Sequence, residues 1–341
     1  MVAEDRFHRG LRLALGGAPL GNLFAPVTQA QADTLLAEAW ASGCRTFDTA
    51  PHYGHGLSEH RLGHALRDRP RDSLVVSSKV GRILQPDGLA PRDQNGYVGG
   101  LPFRQHWDYS AAGVRRSVED TLQRLGMPHL DVAYVHDCDA LTHGTRYPEV
   151  LQQVVTEALP ELNRLRAAGL VHHIGLGVND VQVCLDVLGA VGATVGMDCL
   201  LLAGRYSLID HSALAGLLPV CQARGIRVAL GGVFNSGILA TGVRMAGQPR
   251  FNYEPAAAPW LRRVEAIERC GDRHGVPLRA AALQFPLAHP AVGPVLLGAR
   301  DAGEWRDALS MLHWPIPAGF WAELRQLGLL PSEAPVPGEQ D

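Results

Sequence analysis

The sequence has 341 residues, which suits one large α/β barrel or two smaller domains. Its apolar content of 46% with 19% charged residues is typical of a globular protein with a large core. The net charge of -3 gives no electrostatic reason to expect a nucleic acid or an anionic membrane as a partner, so both are predicted to be absent.

The cysteines and the N-terminus bear on the compartment. Six cysteines are scattered along the chain without a Cys-x-x-Cys pair, which argues against a disulfide framework and favours reduced thiols in a cytoplasmic protein. The first ten residues carry acidic side chains with no apolar stretch behind them, so no signal peptide is predicted. The most apolar region, residues 187–204, is interrupted by Asp198 and several glycines, and no membrane span is predicted there. The sequence does not indicate an oligomeric state.

Short apolar runs alternate with segments of helical period along most of the chain. The runs predict eight strands, at residues 12–18, 45–50, 74–80, 130–137, 172–178, 196–204, 226–234 and 294–299. Most of these runs are continuously apolar, as is typical of parallel strands that are buried on both faces.

The segments between the runs predict helices. One runs from Thr28, a predicted N-cap, to Gly43, and a second begins with Ser58 as its predicted cap. Two more are predicted over residues 108–126 and 149–169, and Pro160 should kink or divide the latter.

This alternation predicts an α/β protein with a single-domain (β/α)₈ barrel, the TIM barrel, over residues 1–330. Residues 331–341 are polar and predict a disordered tail. An open doubly wound sheet is the alternative, but the G-x-G-x-x-G pattern that usually follows its first strand is missing from GGAPLGN.

Titratable residues fall at the carboxyl ends of three neighbouring predicted strands. Asp48 and Tyr53 follow the second strand, Lys79 ends the third, and His136 and Asp137 end the fourth. Because catalytic groups of a barrel project from these strand ends, we expect the side chains of Asp48, Tyr53, Lys79 and His136 to converge. Lys79 is also the only lysine among 31 basic residues, which indicates a site that needs a compact cation rather than the planar fork of arginine.

These groups could transfer a proton through Tyr53. A phenol has a pKa of about 10, and lowering it by two or three units takes roughly 3–4 kcal/mol. An ammonium group about 4 Å away supplies roughly 4 kcal/mol at an effective dielectric constant of 20. We therefore expect Lys79 to lower the pKa of Tyr53, Asp48 to orient Lys79, and His136 to bind the substrate oxygen. Such an acid–base site needs a partner that moves a hydride.

Four motifs, FDTAPHYG, SSKVGR, YVHD and GLGVN, together resemble the aldo-keto reductase family in their order and over nearly the whole chain. The resemblance implies an eight-stranded barrel and a nicotinamide cofactor. It also implies that Tyr53 is the proton donor or acceptor, that Lys79 and Asp48 tune it, and that His136 orients the substrate.

The loops after the seventh and eighth strands are the expected phosphate site. Backbone N–H groups of Asn235, Ser236 and Gly237 are the best candidates for holding an anion. The resemblance implies that Phe234 stacks on the nicotinamide and that Asn179 binds its carboxamide, although strand six lacks the glutamine that the family usually adds. The full set of predicted cofactor-binding residues is Asn179, Phe234, Asn235, Ser236, Gly237, Leu239, Gly298, Arg300 and Glu304.

The cofactor preference is predicted from the loop before the last helices. Glu304 aligns where many relatives carry a basic residue that binds the 2′-phosphate of NADP. A carboxylate there repels a phosphate, so NAD is the preferred cofactor, and NADP stays the alternative because Arg300 lies nearby.

Residues 81–108 are too long for an ordinary connection and predict a functional loop. Its aromatic residues Tyr97, Phe103, His106 and Trp107 predict a wall over the site, and a floppy insertion is the alternative. With residues 108–126 and 200–210, this loop resembles bacterial sugar 1-dehydrogenases that act on L-fucose and related threo-aldoses.

The implied reaction is hydride transfer from C1 of an aldose to NAD(P), which forms a lactone. Pyridoxal 4-dehydrogenases are similar over the same segments, so that activity, or general aldehyde and ketone reduction, is the alternative. His52, Trp107 and Asp137 are the predicted substrate-binding residues of this small-molecule enzyme.

Two other classes of protein remain as alternatives. A metal-dependent barrel hydrolase could use some of the fifteen histidines, but the usual His-x-His at the end of strand one is missing and no metal ligand is predicted. A nucleotide-sensing binding protein would need an impaired catalytic set, whereas Asp48, Tyr53, Lys79 and His136 are all present.

Overall fold

The structure is a computed structural model that describes residues 11–191, 196–244 and 247–339. In this part of the chain, parallel strands close into one barrel, in which the first strand pairs with the second and the last. The barrel strands are β1 (Leu13–Gly16), β2 (Thr46–Asp48), β3 (Val75–Val80), β4 (Leu130–His136), β5 (Val171–Val178), β6 (Cys199–Ala203), β7 (Arg227–Gly231) and β8 (Val292–Gly298). The predicted (β/α)₈ barrel is confirmed.

Helices surround this barrel and cover the outer faces of its strands. The α-helices span Gln29–Ala41, Leu57–Leu66, Ala111–Leu125, Ala140–His143, Tyr147–Gln153, Leu159–Ala167, Val181–Val191, Leu217–Arg224, Ile238–Thr241, Ala258–His274, Leu278–Gln284, Ala302–Leu312 and Ala318–Gln326. Single 3₁₀ turns occur at Pro19–Gly21, Arg71–Ser73, Gly144–Arg146, Asn235–Gly237 and Phe285–Ala288.

Helix starts agree with the sequence in one case and differ in another. Thr28 caps the first helix, because its hydroxyl accepts a hydrogen bond from the backbone N–H of Gln31. The Gln31 side-chain oxygen in turn accepts from the backbone N–H of Thr28. The second helix begins at Leu57 with Gly56 as its N-cap, so the predicted Ser58 cap is wrong. Ser58 is buried instead, and its hydroxyl donates to the carbonyl oxygen of Gly17 at 2.8 Å.

The helical segment around Pro160 is divided as predicted. An α-helix ends at Gln153, a π-helical turn spans Val154–Ala158, and α-helix resumes at Leu159. Pro160 lies in the first turn of the resumed helix, where its missing N–H removes little hydrogen bonding. The wider π turn before it accommodates the proline without ending the segment.

The long connection between β3 and β4 is an ordered hairpin, so the alternative of a floppy insertion is wrong. Its antiparallel strands span Arg82–Pro86 and Phe103–Trp107, and Arg82 pairs with Trp107 at the base. The tip folds back over the barrel mouth, where Tyr97 is buried and bridges to Leu23.

The C-terminal segment also differs from the sequence prediction. Residues 331–339, predicted as disordered, lie against the protein, with Ala334 and Val336 buried. Arg325 donates to the carbonyl oxygen of Ala334 and forms an ion pair with Glu339. The buried side chains of Ala334 and Val336 thus hold this segment against the protein. Residues 340–341 and the first ten residues, where the absence of a signal peptide was predicted, lie outside the described residues.

All six cysteines are free and buried. Within the described ranges, no helix has the length and apolar character needed to cross a bilayer.

Candidate active site

The carboxyl ends of β2, β3 and β4 lie side by side and bring the predicted catalytic residues together. Asp48 pairs with Ser77 across β2 and β3, and Lys79 pairs with Tyr134 across β3 and β4. Asp48 and Lys79 are 2% exposed and His136 is 6% exposed, so bulk water does not screen their charges.

Lys79 and Asp48 form a buried ion pair at the base of the site. The Lys79 Nζ donates to Asp48 Oδ2 at 2.7 Å and to the carbonyl oxygen of Thr49 at 2.8 Å. Ser77 donates to the other carboxylate oxygen at 2.7 Å. A buried ion pair is stable when its remaining hydrogen bonds are satisfied in this way.

The space around Lys79 explains why arginine does not replace it. Lys79 is 2% exposed, so its side chain is enclosed by the surrounding protein. A bulkier guanidinium would overpack this site and could not keep both short bonds of the ammonium. The structure therefore supports the interpretation of the lone lysine as a compact buried cation.

Tyr53 lies above this pair. Its ring centroid is 4.6 Å from Lys79 Nζ and 6.3 Å from the imidazole of His136, which is nearly perpendicular to it. The backbone of Tyr53 packs directly against Gly21, where an added Cβ would lie 2.4 Å from the Tyr53 carbonyl carbon. A glycine at position 21 thus allows the loop after β1 to hold the tyrosine in place.

The pKa of Tyr53 shifts opposite to the sequence prediction. Burial raises the pKa of the phenol well above its ordinary value of 10, and the Asp48 carboxylate adds to this. The sequence argument considered the Lys79 charge alone, whereas the structure places Asp48 2.7 Å from that ammonium and offsets it. Tyr53 is therefore a neutral phenol that holds its proton, which is the form of an acid.

His136 and His52 are neutral imidazoles beside this phenol. Burial and the Arg82 charge lower the pKa of His136 well below its usual range, and the same causes lower the pKa of His52 to about 3. The two rings lie 5.9 Å apart. Neutral imidazoles can offer a donor or an acceptor to a substrate oxygen without adding charge.

Two of the predicted substrate-binding residues, Asp137 and Trp107, meet at Arg82. Arg82 Nη2 donates to Asp137 Oδ2 at 2.6 Å, and the guanidinium carbon lies 3.9 Å from the centre of the Trp107 ring. Sequence reasoning missed Arg82, although it stands in the quoted motif SSKVGR, three residues after Lys79. Its position directly after the end of β3 was the signal that could have found it.

The turn after β7 carries the predicted anion-binding residues. Asn235, Ser236 and Gly237 have φ values of 44°, 60° and 105°, a left-handed run that turns successive backbone groups toward one side. Within the turn, the backbone N–H of Asn235 donates a hydrogen bond to the carbonyl oxygen of Gly232, and that of Gly237 donates to the carbonyl oxygen of Phe234. The side-chain oxygen of Asn235 is buried without a partner among the described residues, which fits a polar ligand at this turn.

The remaining cofactor residues lie around the same side of the barrel mouth. Asn179 follows β5, and its carbonyl oxygen accepts from Arg205 Nε at 2.6 Å. Phe234 is half-buried, Leu239 is fully buried behind it, and Gly298 is exposed at the end of β8. Tyr253, which sequence reasoning missed, comes from a hairpin after β7 and contacts the Asn179 side chain.

Arg300 and Glu304 are bound to each other in the loop and helix after β8. The carboxylate accepts from Arg300 Nε at 2.9 Å and from the Arg300 backbone N–H at 2.8 Å. Asp301 caps the helix by accepting from the N–H of Glu304. Because the two charges offset each other, neither NAD nor NADP is selected by the net charge of this pair.

These residues fit a nicotinamide cofactor. The unpartnered Asn235 oxygen is an acceptor and suits a hydrogen-bond donor of the cofactor, such as a ribose hydroxyl. The predicted residues thus form two neighbouring groups, one for proton transfer and one for a cofactor. Among the described residues, His52, His55 and His60 belong to no group whose potential metal-ligand atoms lie close together. Their arrangement therefore gives no support to a metal-dependent hydrolase.

Comparison with known proteins identifies relatives over nearly the full length. The model of the Aldo/keto reductase family matches residues 12–328. A pyridoxal 4-dehydrogenase from Microbacterium luteolum is 43% identical over 329 residues, which cover 93% of this chain and 94% of the relative. A D-threo-aldose 1-dehydrogenase from a Pseudomonas species is 36% identical over 331 residues, which cover 94% of each chain.

Solved structures share the fold at lower identity. The glycerol dehydrogenase from Gluconobacter oxydans has a TM-score of 0.71 at 20% identity and covers 95% of both chains. An aldo-keto reductase from Bacillus halodurans has a TM-score of 0.69 at 20% identity and covers 97% of this chain and 95% of the other. These similarities establish the barrel fold.

Proposed function

Because the chain belongs to the aldo/keto reductase family and is an NAD(P)-dependent oxidoreductase, we propose that it oxidises a small cyclic hemiacetal to a lactone. The observation that carries this proposal is the neutral Tyr53 above the buried Lys79–Asp48 pair, beside the neutral His136. Threo-aldoses and pyridoxal, named by the two relatives, share this chemistry. Each is an aldehyde with a hydroxyl group placed to close a ring on the carbonyl carbon.

The chain's own residues handle the proton. In the direction of reduction, Tyr53 donates its proton to the substrate oxygen, and His136 positions that oxygen. In the direction of oxidation, Tyr53 first loses its proton to solvent, and the Lys79 ammonium stabilises the phenolate, which then accepts the proton of the anomeric hydroxyl as the hydride leaves C1. A bound nicotinamide supplies the hydride acceptor or donor.

A threo-aldose such as L-fucose is the first candidate substrate, with C1 as the reacting carbon. Pyridoxal is the alternative candidate, and the higher identity of the pyridoxal 4-dehydrogenase, 43% against 36% for the aldose enzyme, supports it. NAD is the proposed cofactor, because the Glu304 carboxylate holds the Arg300 guanidinium and so keeps it from pairing with a 2′-phosphate. The six free, buried cysteines support a reducing, cytoplasmic compartment.

The test is absorbance at the NADH band with purified protein, NAD or NADP, and L-fucose or pyridoxal. Reduction of NAD by L-fucose supports the aldose proposal, and reduction by pyridoxal alone moves the protein to the second candidate. The proposed function would be contradicted if neither substrate reduced NAD or NADP and if simple aldehydes did not oxidise NADH or NADPH in the reverse direction.

The pKa directions predict the pH dependence of aldehyde reduction. The rate depends on protonated Tyr53, whose pKa lies well above 10, and on neutral His136, whose pKa lies well below 6.5. We therefore expect kcat to stay constant from mildly acidic pH to the ordinary phenol pKa of about 10 and to fall only above it. A kcat profile with an inflection near pH 6.5 would contradict the neutral state of His136.

The Arg300–Glu304 pair predicts an effect on cofactor choice. The variant Glu304→Gln removes the carboxylate and frees Arg300 to attract a 2′-phosphate, so the KM for NADP should fall by roughly two- to tenfold while that for NAD changes little. KM values for both cofactors check this. Glu265→Gln, in the matched helical pair with Arg269, is the control and should leave the KM ratio unchanged.

A further inference from the structure

Asp137 places a carboxylate in the candidate active site, and proton transfer does not require this carboxylate. Its Oδ2 receives Arg82 Nη2 at 2.6 Å and lies 3.4 Å from His136 Nε2. The Asp137 side chain is 16% exposed, so this oxygen is largely screened from water. The carboxylate therefore lies directly beside the imidazole that positions the reacting oxygen.

The backbone holds Asp137 in an unfavourable conformation. Its φ of 44° is in the left-handed region, which is costly for a residue with a side chain. Its N–H donates to the carbonyl oxygen of Gly177 at 3.0 Å, and its own carbonyl oxygen is bound by the Tyr109 hydroxyl at 3.2 Å and His143 Nε2 at 3.1 Å. Strain that several contacts maintain at one position is typical of a functional site.

Arg82 supplies hydrogen-bond donors next to this carboxylate. Its Nη1 donates to Gln105 Oε1 at 3.4 Å, and its face packs on Trp107. Its Nε is buried and has no partner within the described part of the chain, which leaves one donor for a ligand.

His52 adds an acceptor to the same group. Gln105 Oε1 accepts from Arg82, so the His52 Nδ1 that lies 2.8 Å from that oxygen must carry the proton. The neutral ring then offers Nε2 as an acceptor. Asp137, Arg82 and His52 thus provide both acceptors and donors, which is the pattern that a hydroxyl group needs.

We propose that Asp137 and Arg82 bind a hydroxyl group that flanks the reacting carbon of the substrate. Asp137 accepts from this hydroxyl and Arg82 donates to it, while His136 positions the reacting oxygen. The inference rests on the proposed function and specifies its substrate class as aldehydes or hemiacetals with a neighbouring hydroxyl group, such as the 2-hydroxyl of an aldose.

The test compares a substrate with its deoxy analogue in the wild type and in variants of Asp137. For the aldose candidate, kcat/KM is measured for L-fucose and 2-deoxy-L-fucose, and for the second candidate it is measured for pyridoxal and its 3-deoxy analogue. A hydrogen bond to a charged group predicts that loss of the hydroxyl lowers kcat/KM by roughly 10- to 100-fold in the wild type.

Glycine at position 137 tolerates the left-handed backbone and removes the carboxylate. In Asp137→Gly, the ratio of kcat/KM for the hydroxylated substrate to kcat/KM for its deoxy analogue should therefore fall to about one. Asp137→Asn keeps a neutral acceptor and the backbone preference, and should give a ratio of roughly 2- to 10-fold. The control is Asp139→Asn, since Asp139 is a neighbouring buried carboxylate that caps the helix at Ala140. It should keep the wild-type ratio.

Thermal melts and NADH binding establish that each variant is folded. A wild-type ratio near one, or a wild-type ratio retained in Asp137→Gly, would overturn the inference while the proposed function stands. If neither hydroxylated substrate were turned over, the proposed function itself would fail. A ratio that collapses in Asp137→Gly and persists in Asp139→Asn is the expected result.

Discussion

The variant Tyr53→Phe is expected to lower kcat by roughly 100- to 10,000-fold in both directions, the range for removing a general acid or base. The substitution removes only the hydroxyl group, and the ring keeps its contacts with Lys79 and His136. NADH binding should be unchanged, because the predicted cofactor residues lie on β5, β7 and β8. Steady-state kcat and NADH titration measure the two effects separately.

Tyr206→Phe is the matched control for this variant. Tyr206 is also buried, and its hydroxyl has no partner among the described residues, so its loss should affect neither stability nor kcat by much. If Tyr53→Phe kept more than a tenth of the wild-type kcat, Tyr53 would not be the proton donor.

The second large effect is expected for Lys79→Arg. The site encloses Lys79 at 2% exposure, and a guanidinium cannot reproduce the two short bonds of the ammonium to Asp48 and Thr49. We expect kcat to fall by roughly 100-fold or more, because the cation that stabilises the Tyr53 phenolate is displaced. Overpacking should also lower the free energy of unfolding by about 1–3 kcal/mol.

Two further variants separate charge from packing at this position. Lys79→Met keeps the volume but leaves Asp48 unpaired, which should cost about 3–5 kcal/mol of unfolding free energy and lower kcat as well. Ser77→Ala removes one neutral hydrogen bond to Asp48 and leaves the ion pair, so its effect on kcat should be much smaller. Kinetics and denaturant unfolding measure these effects, and near-native turnover by Lys79→Arg would contradict the role of Lys79.

The sequence predicted the barrel and the placement of the catalytic residues because both follow from local patterns. Apolar runs buried on both faces mark parallel strands, and the polar residue that ends such a run must lie at the barrel mouth. Asp48, Lys79 and His136 meet for this reason, and the ordered motifs added the family.

What the sequence did not predict depends on contacts between distant segments. The raised pKa of Tyr53 follows from its burial and from the nearby Asp48 carboxylate, which no spacing along the chain reveals. The contacts of Arg82 with Trp107 and Asp137 depend on the hairpin and on the end of β4, which are distant in the sequence. Ser58 was interpreted as a helix cap because its hydroxyl suits that role, whereas the packing against β1 gave it another partner.

The most direct test of hydride transfer at this site is a reduction with deuterated cofactor. Wild-type protein is incubated with a simple aldehyde and with reduced nicotinamide cofactor that carries deuterium at the transferred position. The product is then analysed by mass spectrometry and NMR. We predict one deuterium on the carbinol carbon in the wild type, with the rate of its transfer greatly reduced in Tyr53→Phe. Solvent hydrogen at that carbon, or equal transfer rates in the two proteins, would contradict the assignment of the site.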